Sequence, residues 1–552
     1  MKSPPPILAC SLLGKFGPRT FGLAVLLVAA GASLAQSTDW THLAGDTQRL
    51  SSSPSDLPNL GHVLWTRNTD AAGNPIRFTP QSGVVGASGR VFATGKVSPP
   101  GGPANQQRLF CFDALTGVQI WSVAVGAVAG ESYSTPCIDT RNQTVIHGSD
   151  RFLVAYDFNS GAVRWSRQLT KTIVNASPLV TSDRAPRNRC FITDYDGYAA
   201  SAKIYCINVD PFNAVLNPFL PGQVVWTAPI LGAAGNSPAY IPSDQGGNDL
   251  VFVASVGVYI ADLPGSIYAF PIDSVGTPSP VWMATSPDTN GFFGGVAAVG
   301  PGPDRPHGAI YAATYAFSER LQSATLVKLD ATNGNLLWST PCNRTSTIPV
   351  PLPDGKVLLS TGVTAYGSAL SVELFREDDH TVRRVWNSAL GTWDDLDEDG
   401  EMEPGEYTAI GGYSVQPVVR ISNDHVKALC GVGSSNPDVN EDSNEIYVLD
   451  LDTSPCHEEF IEQYATGAGS SPAIVGGIVC SVGAAGLRAF GEIPPAYDVN
   501  QDGVTSIDDL YSWEQGLGLL DVNQDSSTDA TDRAILLAYL RRLERNDLEA
   551  TR

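Results

Sequence analysis

Apolar and polar positions alternate in short runs through most of this chain, and the runs recur in a fixed order. An apolar strand leads to an acid, then a turn holding glycine, then a strand that ends in tryptophan. Three copies superimpose closely: Leu109 to Trp121, Leu153 to Trp165 and Leu326 to Trp338, with Asp113, Asp157 and Asp330 at the acid and Gly117, Gly161 and Gly334 at the turn. Alternation with a period of two buries one face of each strand, and glycine supplies a positive-φ turn residue, so each copy predicts a hairpin. Looser copies end at Trp226, Trp282 and Trp386, with Tyr464 in the seventh place. Small-residue starts such as Ser134-Thr135-Pro136, Ala176-Ser177-Pro178, Asn236-Ser237-Pro238 and Ser470-Ser471-Pro472 mark the inner strand of each unit.

Unit starts fall near residues 80, 134, 176, 236, 294, 348, 414 and 470, and the last unit lacks its outer tryptophan strand. An unused strand of that kind, Gly61 to Trp65, precedes the first unit. The expectation is a mainly β protein: an eight-bladed propeller of four-stranded blades over residues 36–492, closed by the N-terminal strand so that no sheet edge is left open. The 54 glycines and 39 prolines in 552 residues suit many short strands joined by turns.

The repeat resembles that of the PQQ-like propeller family, Ala-x-Asp-x-x-Thr-Gly-x-x-x-Trp, which occurs in quinoprotein dehydrogenases and in non-enzymatic outer-membrane assembly factors. Asp39 to Arg49 looks like that family's usual opening segment, and the resemblance extends to about residue 490. It implies that the tryptophans pack between neighbouring blades. It implies little about activity, because function sits on sites and not on folds. The dehydrogenases carry a vicinal cysteine pair over the quinone, and no two cysteines are adjacent here. The Cys-x-x-Cys-His haem motif is absent too, as are His-Glu-x-x-His, Gly-x-Ser-x-Gly and a phosphate-binding glycine loop. PQQ is therefore not an expected cofactor, and the chain reads as non-catalytic, with a PQQ-dependent dehydrogenase as the alternative. A paired-carboxylate hydrolase is the remaining enzymatic class, and the sequence singles out no such pair.

A different pattern begins at residue 498, after a short joint at 493–497 that contains Pro494 and Pro495. Asp498, Asn500, Asp502, Ser506 and Asp509 place oxygens at positions 1, 3, 5, 9 and 12 of an EF-hand-like loop, with Val504 offering its carbonyl at position 7. Asp521, Asn523, Asp525, Ser527, Asp529 and Asp532 repeat the spacing, with Ser526 replacing the glycine of position 6. Each loop runs into an apolar helix, so residues 498–552 predict a small α-helical calcium module. The duplicated loop and helix, ending on Asp at position 12, resemble a type I dockerin. That resemblance implies a cohesin-like protein partner contacted through positions 10 and 11, here Ile507, Asp508, Ala530 and Thr531. A third acidic loop interrupts the propeller at 394–407: Asp395, Asp397, Asp399, Glu401 and Glu406 fit the same calcium spacing, while Pro404 and Gly405 argue against a regular exiting helix.

The N-terminus carries Lys2, Lys15 and Arg19 without an acid, then an apolar run from Phe21 to Ala30 and the small-x-small site Ser33-Leu34-Ala35. That is a secretory signal, residues 1–35, and its apolar run is too short to span a bilayer. The formal net charge of −23 repels nucleic acid and anionic lipid and suits multivalent cations. Cys10 leaves with the signal. The even set that remains, from Cys111 to Cys480, predicts some disulfides in an oxidising destination, with Cys190 and Cys206 the nearest pair. The composite expectation is an extracellular or periplasmic recognition platform that binds a protein or glycan on its propeller. Its C-terminal module would attach it to an extracellular assembly, of the kind linked to polysaccharide breakdown.

Overall fold

The computed structural model describes residues 39–541 except 55–56, 58–59, 80–81, 127–132, 196–200, 233–235, 259–262, 289–290, 304, 316–323, 365–367, 379–380, 422–425, 434–443, 452–459, 492–496, 498, 501–504, 523–527, 531, 535 and 538. The signal segment with Cys10, the joint at Ile493 to Pro495, and Cys456 lie outside the described residues.

Eight sheets succeed one another along the chain as propeller blades. Blade 1 consists of Val85–Ala87, Arg90–Val97, Gln106–Asp113 and Gln119–Ala124, running antiparallel from the axis outward, with Ile76–Phe78 added on its second strand. Blade 2 condenses the pattern. Its long strand Thr144–Asp157 pairs Cys137–Asp139 through its first residues and Val163–Ile173 from Asp150 onward, where φ is +51°. Blades 3 to 7 repeat the four-stranded order. In blade 8, Ala473–Val475, Ile478–Gly483 and Gly486–Phe490 are completed by Val63–Arg67, which pairs antiparallel with the last of them, Trp65 opposite Ala489. The expected N-terminal strand thus closes the ring.

The recurrent motif works as a joint between blades. Asp113 Oδ1 accepts the N–H groups of Leu115 and Thr116 and the Thr116 hydroxyl, at 3.1, 2.8 and 2.9 Å, which fixes the turn locally. Gly117 then adopts φ +64°, and a Cβ there would stand 2.4 Å from the indole of Trp65 in the preceding blade. That indole donates its Nε1–H to the Ala114 carbonyl at 2.9 Å. Trp121 donates likewise to Phe158, Trp226 to Ile272 and Trp282 to Ala331, each at 3.1 Å. Acid and glycine therefore shape the seat for the previous blade's tryptophan, which is why they recur together.

One expectation about cysteine fails. Cys190 lies opposite Ile207 across its ladder, and Cys206 lies opposite Phe191. Successive side chains in a strand point to opposite faces, so Cys190 and Cys206 face different cores and cannot be bridged. The described cysteines are all buried and free, packed as small apolar residues.

Two rings of polar contacts hold the axis. In five blades the residue that opens the inner strand, just ahead of a proline, accepts through its side chain the backbone N–H of its counterpart in the preceding blade. Gly83 donates to Thr135 Oγ1 at 2.7 Å, Thr135 to Ser177 Oγ at 2.9 Å, Ser177 to Ser237 Oγ at 3.0 Å, Ile348 to Gln416 Oε1 at 2.9 Å and Gln416 to Ser471 Oγ at 2.9 Å. At blade 5 the chain has Gly294 and Gly295, and Ser237 N–H turns to the Gly294 carbonyl instead, at 3.1 Å. The small polar starts legible in the sequence are therefore the links of this ring.

Three residues further along each inner strand lies a second level, and the opening segment from Trp40 to Ser53 is wound against it. Gly86 and Ile138 donate to the carbonyls of Trp40 and Thr41, at 2.9 and 2.8 Å. Val180 donates to His42 Nε2 at 3.1 Å. Tyr240, Ala298 and Val419 donate to the carbonyls of Thr47, Gln48 and Ser51 at 2.8, 2.9 and 2.8 Å. The order follows the blades around the ring, passing over blade 6, where Pro351 has no N–H to give. An inner strand otherwise presents an unpaired edge to the channel, so this plug satisfies donors that would be costly to bury alone. Arg49, fully buried at the centre, donates to the carbonyls of Leu43, Ser177, Pro178 and Pro238 at 2.8 to 3.2 Å. Burial lowers its pKa to about 10, which leaves it charged at neutral pH. Burial and the Arg49 charge push His42 well below its usual range, consistent with a neutral ring whose Nε2 accepts.

Beyond the propeller, Val499, Leu510, Val522, Leu536 and Leu540 form a small apolar core of their own. Among the described residues no helix is long and apolar enough to cross a membrane.

Candidate functional site

The plug makes the axis a blind funnel. A cavity of about 250 Å³ opens where the inner strands begin, with Leu43 of the plug among its lining and residues from blades 2 to 8 around it. Its walls carry Tyr133, Phe293, Tyr315 and Tyr413. The rings of Phe293 and Tyr315 are 5.1 Å apart and those of Tyr315 and Tyr413 are 6.4 Å apart. The Arg344 guanidinium lies 3.9 Å from the Tyr315 ring centre and occupies one of its faces. Hydroxyl and amide groups complete the lining, including Asn175, Ser177, Ser237 and Gln416, and no described lining side chain is charged.

The inserted loop lies between the outer strand of blade 6 and the inner strand of blade 7. Asn387 caps the short helix Ser388–Thr392, its Oδ1 accepting the Leu390 N–H at 3.0 Å, and the chain then curls through Glu398 with φ +62° and Gly400 with φ +78°. The structure brings Asp395, Asp397 and Asp399 together, with one carboxylate oxygen of each within 4.8 Å of the others. Glu406 is nearly buried. Its Oε1 accepts the Leu396 N–H at 2.9 Å, and its Oε2 accepts from Glu403 N at 3.1 Å and Trp393 Nε1 at 3.3 Å. Those hydrogen bonds hold the Glu406 carboxyl below the usual range, while the negative charges of Asp399 and Asp397 push Glu403 up. Glu401 remains exposed, and no helix follows the loop, as Pro404 and Gly405 suggest.

In the C-terminal segment the position-12 acids are the organising groups. Asp509 and Asp532 are fully buried. Asp509 accepts the N–H of Asn500 at 3.1 Å and of Ser506 at 2.7 Å, and with Ser506 forms a capping box on the helix Ile507–Glu514. Asp532 accepts the Asp529 N–H at 2.8 Å, the equivalent contact in the second loop. Tyr497 stacks on Tyr539 with ring centres 3.7 Å apart, and Arg533 pairs with Glu514 at 2.6 Å. Ile507, Asp508 and Ala530 are exposed, and Asp521 is partly buried. Asp498, Asp502, Val504, Asn523, Asp525, Ser527 and Thr531 lie outside the described residues.

Sequence reasoning did not find the funnel or the plug. The signal was present in the residue ahead of each inner-strand proline, which marks the axial ring, and in Arg49, the one arginine of the opening segment.

With this geometry in view, residues 57–274 match the family described as outer membrane protein assembly factor BamB. That span holds the closing strand, the first three blades and all but the outer strand of the fourth. No curated protein sequence matches. Among solved structures, the quinohemoprotein alcohol dehydrogenase from Comamonas testosteroni aligns with a TM-score of 0.54 at 13% identity, covering 89% of this chain and 86% of that one. BamB from Moraxella catarrhalis aligns with a TM-score of 0.46 at 14% identity, over 75% of this chain and 94% of that one. Sqt1 from Chaetomium thermophilum gives 0.45 at 12% identity, over 79% and 98%. At such identities the dehydrogenase likeness speaks for the propeller fold alone.

Proposed function

We propose that this chain is an exported, non-catalytic recognition platform of the cell envelope or its exterior, attached through a calcium-loaded C-terminal module. The observation that carries the reading is the uncharged funnel at the axis. Acid–base chemistry needs a titratable group within reach of substrate, and the described lining supplies only tyrosines in the way of ionisable groups, with no carboxylate, histidine or lysine. PQQ, a planar tricarboxylate, needs cationic partners for its carboxylates, and among the described lining residues there are none. Arg49 beneath the floor directs its N–H groups to carbonyls. The residues present therefore do not fit the quinone, which argues against the dehydrogenase alternative.

The match to an outer membrane protein assembly factor supports a platform that meets protein partners in the envelope. Calcium is proposed for the two C-terminal loops and for the inserted loop on their oxygen spacing. There Asp395, Asp397 and Asp399 converge, and Glu406, Asp509 and Asp532 are already held by backbone N–H groups. The exposed Ile507, Asp508 and Ala530 are the described positions through which a cohesin-like partner would read the module.

Calorimetric titration of PQQ into the mature protein with calcium present tests the reading. No saturable heat is expected. Binding near one equivalent, followed by dye-linked oxidation of alcohols or aldoses, would overturn it.

A further inference from the structure

The funnel carries hydrogen-bonding groups that the propeller itself leaves unused. Asn175 Oδ1 is buried in the wall and has no hydrogen-bond partner among the described residues. Ser177 and Ser237, each 1% exposed, accept backbone N–H groups through their hydroxyl oxygens. Neither hydroxyl donates to any acceptor among the described residues. A buried polar atom without a partner is uncommon in a folded protein and calls for an explanation such as a ligand. Here one acceptor and two donors border the same cavity as the aromatic rings of Phe293, Tyr315 and Tyr413.

We propose that the funnel binds a neutral saccharide unit, deepening and resting on the platform reading above. A pyranose has vicinal hydroxyls that both donate and accept, which matches Asn175 Oδ1 with Ser177 and Ser237 Oγ–H. It also has an apolar C–H face, which packs on aromatic rings such as those of Tyr413 and Phe293. The absence of charge among the described lining residues selects against sugar acids and amino sugars, whose charges would be desolvated without a partner. A cavity of about 250 Å³ sets the scale at one or two sugar rings. The blind end imposed by the plug means that the sugar enters from the funnel mouth, as the end of a chain or as a free short saccharide.

Titration calorimetry of the mature protein with glucose, maltose, cellobiose and xylobiose, and with gluconate and glucosamine as charged counterparts, tests this. The expected result is saturable binding of at least one neutral sugar with a dissociation constant near the millimolar range, and none for the charged pair. Asn175→Ala and Tyr413→Ala are each expected to weaken that binding about tenfold, while Asn175→Ala keeps the melting temperature because its Oδ1 has no partner to lose. No saturable heat with any neutral sugar, binding unchanged in Asn175→Ala, or preference for gluconate would each overturn the proposal. If the sugars fail and PQQ also fails, the platform reading stands without this ligand. If PQQ binds, both readings fall.

Discussion

The propeller and the C-terminal segment hold themselves together by opposite means. In the propeller the same joints recur in most blades, with tryptophan seated on the next blade's turn at the rim and a hydroxyl or amide accepting a backbone N–H at the axis. The ring is closed by strand pairing within one chain, which enters as plug and closing strand and completes the blade formed by the last three propeller strands. Among its described residues the C-terminal segment has a core of five buried apolar side chains and two buried carboxylates. A small core supplies little free energy of its own, and clustered acids oppose folding until a cation neutralises them. Closure makes a fold tolerant of losing one joint. A small module built around charge is expected to depend on a cation.

The largest effect that breaks this comparison inside the propeller is expected at Arg49, because its contacts are not repeated. Arg49→Ala removes donors to four carbonyls, three of them buried, and a loss of about 3 kcal/mol or more is expected from denaturant unfolding. A loss below about 1 kcal/mol would mean that the plug is dispensable.

In the C-terminal module, Asp509→Asn is expected to weaken calcium affinity at least tenfold by titration and to leave the propeller's unfolding midpoint in place. The side chain would keep an acceptor for the Ser506 N–H and lose the charge.

At the rim a single joint matters less. Trp121→Phe keeps most of the packed ring and removes the Nε1–H bond to Phe158, so a loss of about 1 kcal/mol is expected in the same unfolding assay.

The smallest effect is a pH dependence. Hydrogen bonding from the Ser160 hydroxyl, then the nearby Arg164, holds the Asp157 carboxyl at about 2, below its unfolded value of about 3.9. Its contribution is present above about pH 4 and is lost as pH falls towards 2. Ser160→Ala should flatten the fall in stability across that interval. An unaltered slope would remove Asp157 from the account.

The blades were legible because their joints are made by residues close in sequence. The acid, the glycine and the tryptophan recur at fixed spacing, and the unused Trp65 strand pointed to the closing seam. The funnel was not legible, because its walls come from seven blades separated by hundreds of residues, and Asn175, Ser177 and Ser237 look like ordinary strand starts. The plug was visible only as a familiar opening segment, since most of its links to the inner strands run from main chain to main chain and leave a mark on side-chain choice only at His42, Gln48 and Arg49. Cys190 and Cys206 mislead for the converse reason: nearness in sequence places them on adjacent strands, while the pleat turns them to opposite faces.

Differential scanning calorimetry of the whole mature chain, in calcium and in excess chelator, tests the contrast between the two regions most directly. The expected trace has a large transition from the propeller that moves little and a small one from the C-terminal module that is lost, or falls steeply in temperature, when calcium is removed. Two transitions unchanged by chelator, or a single transition that shifts as a whole, would contradict it.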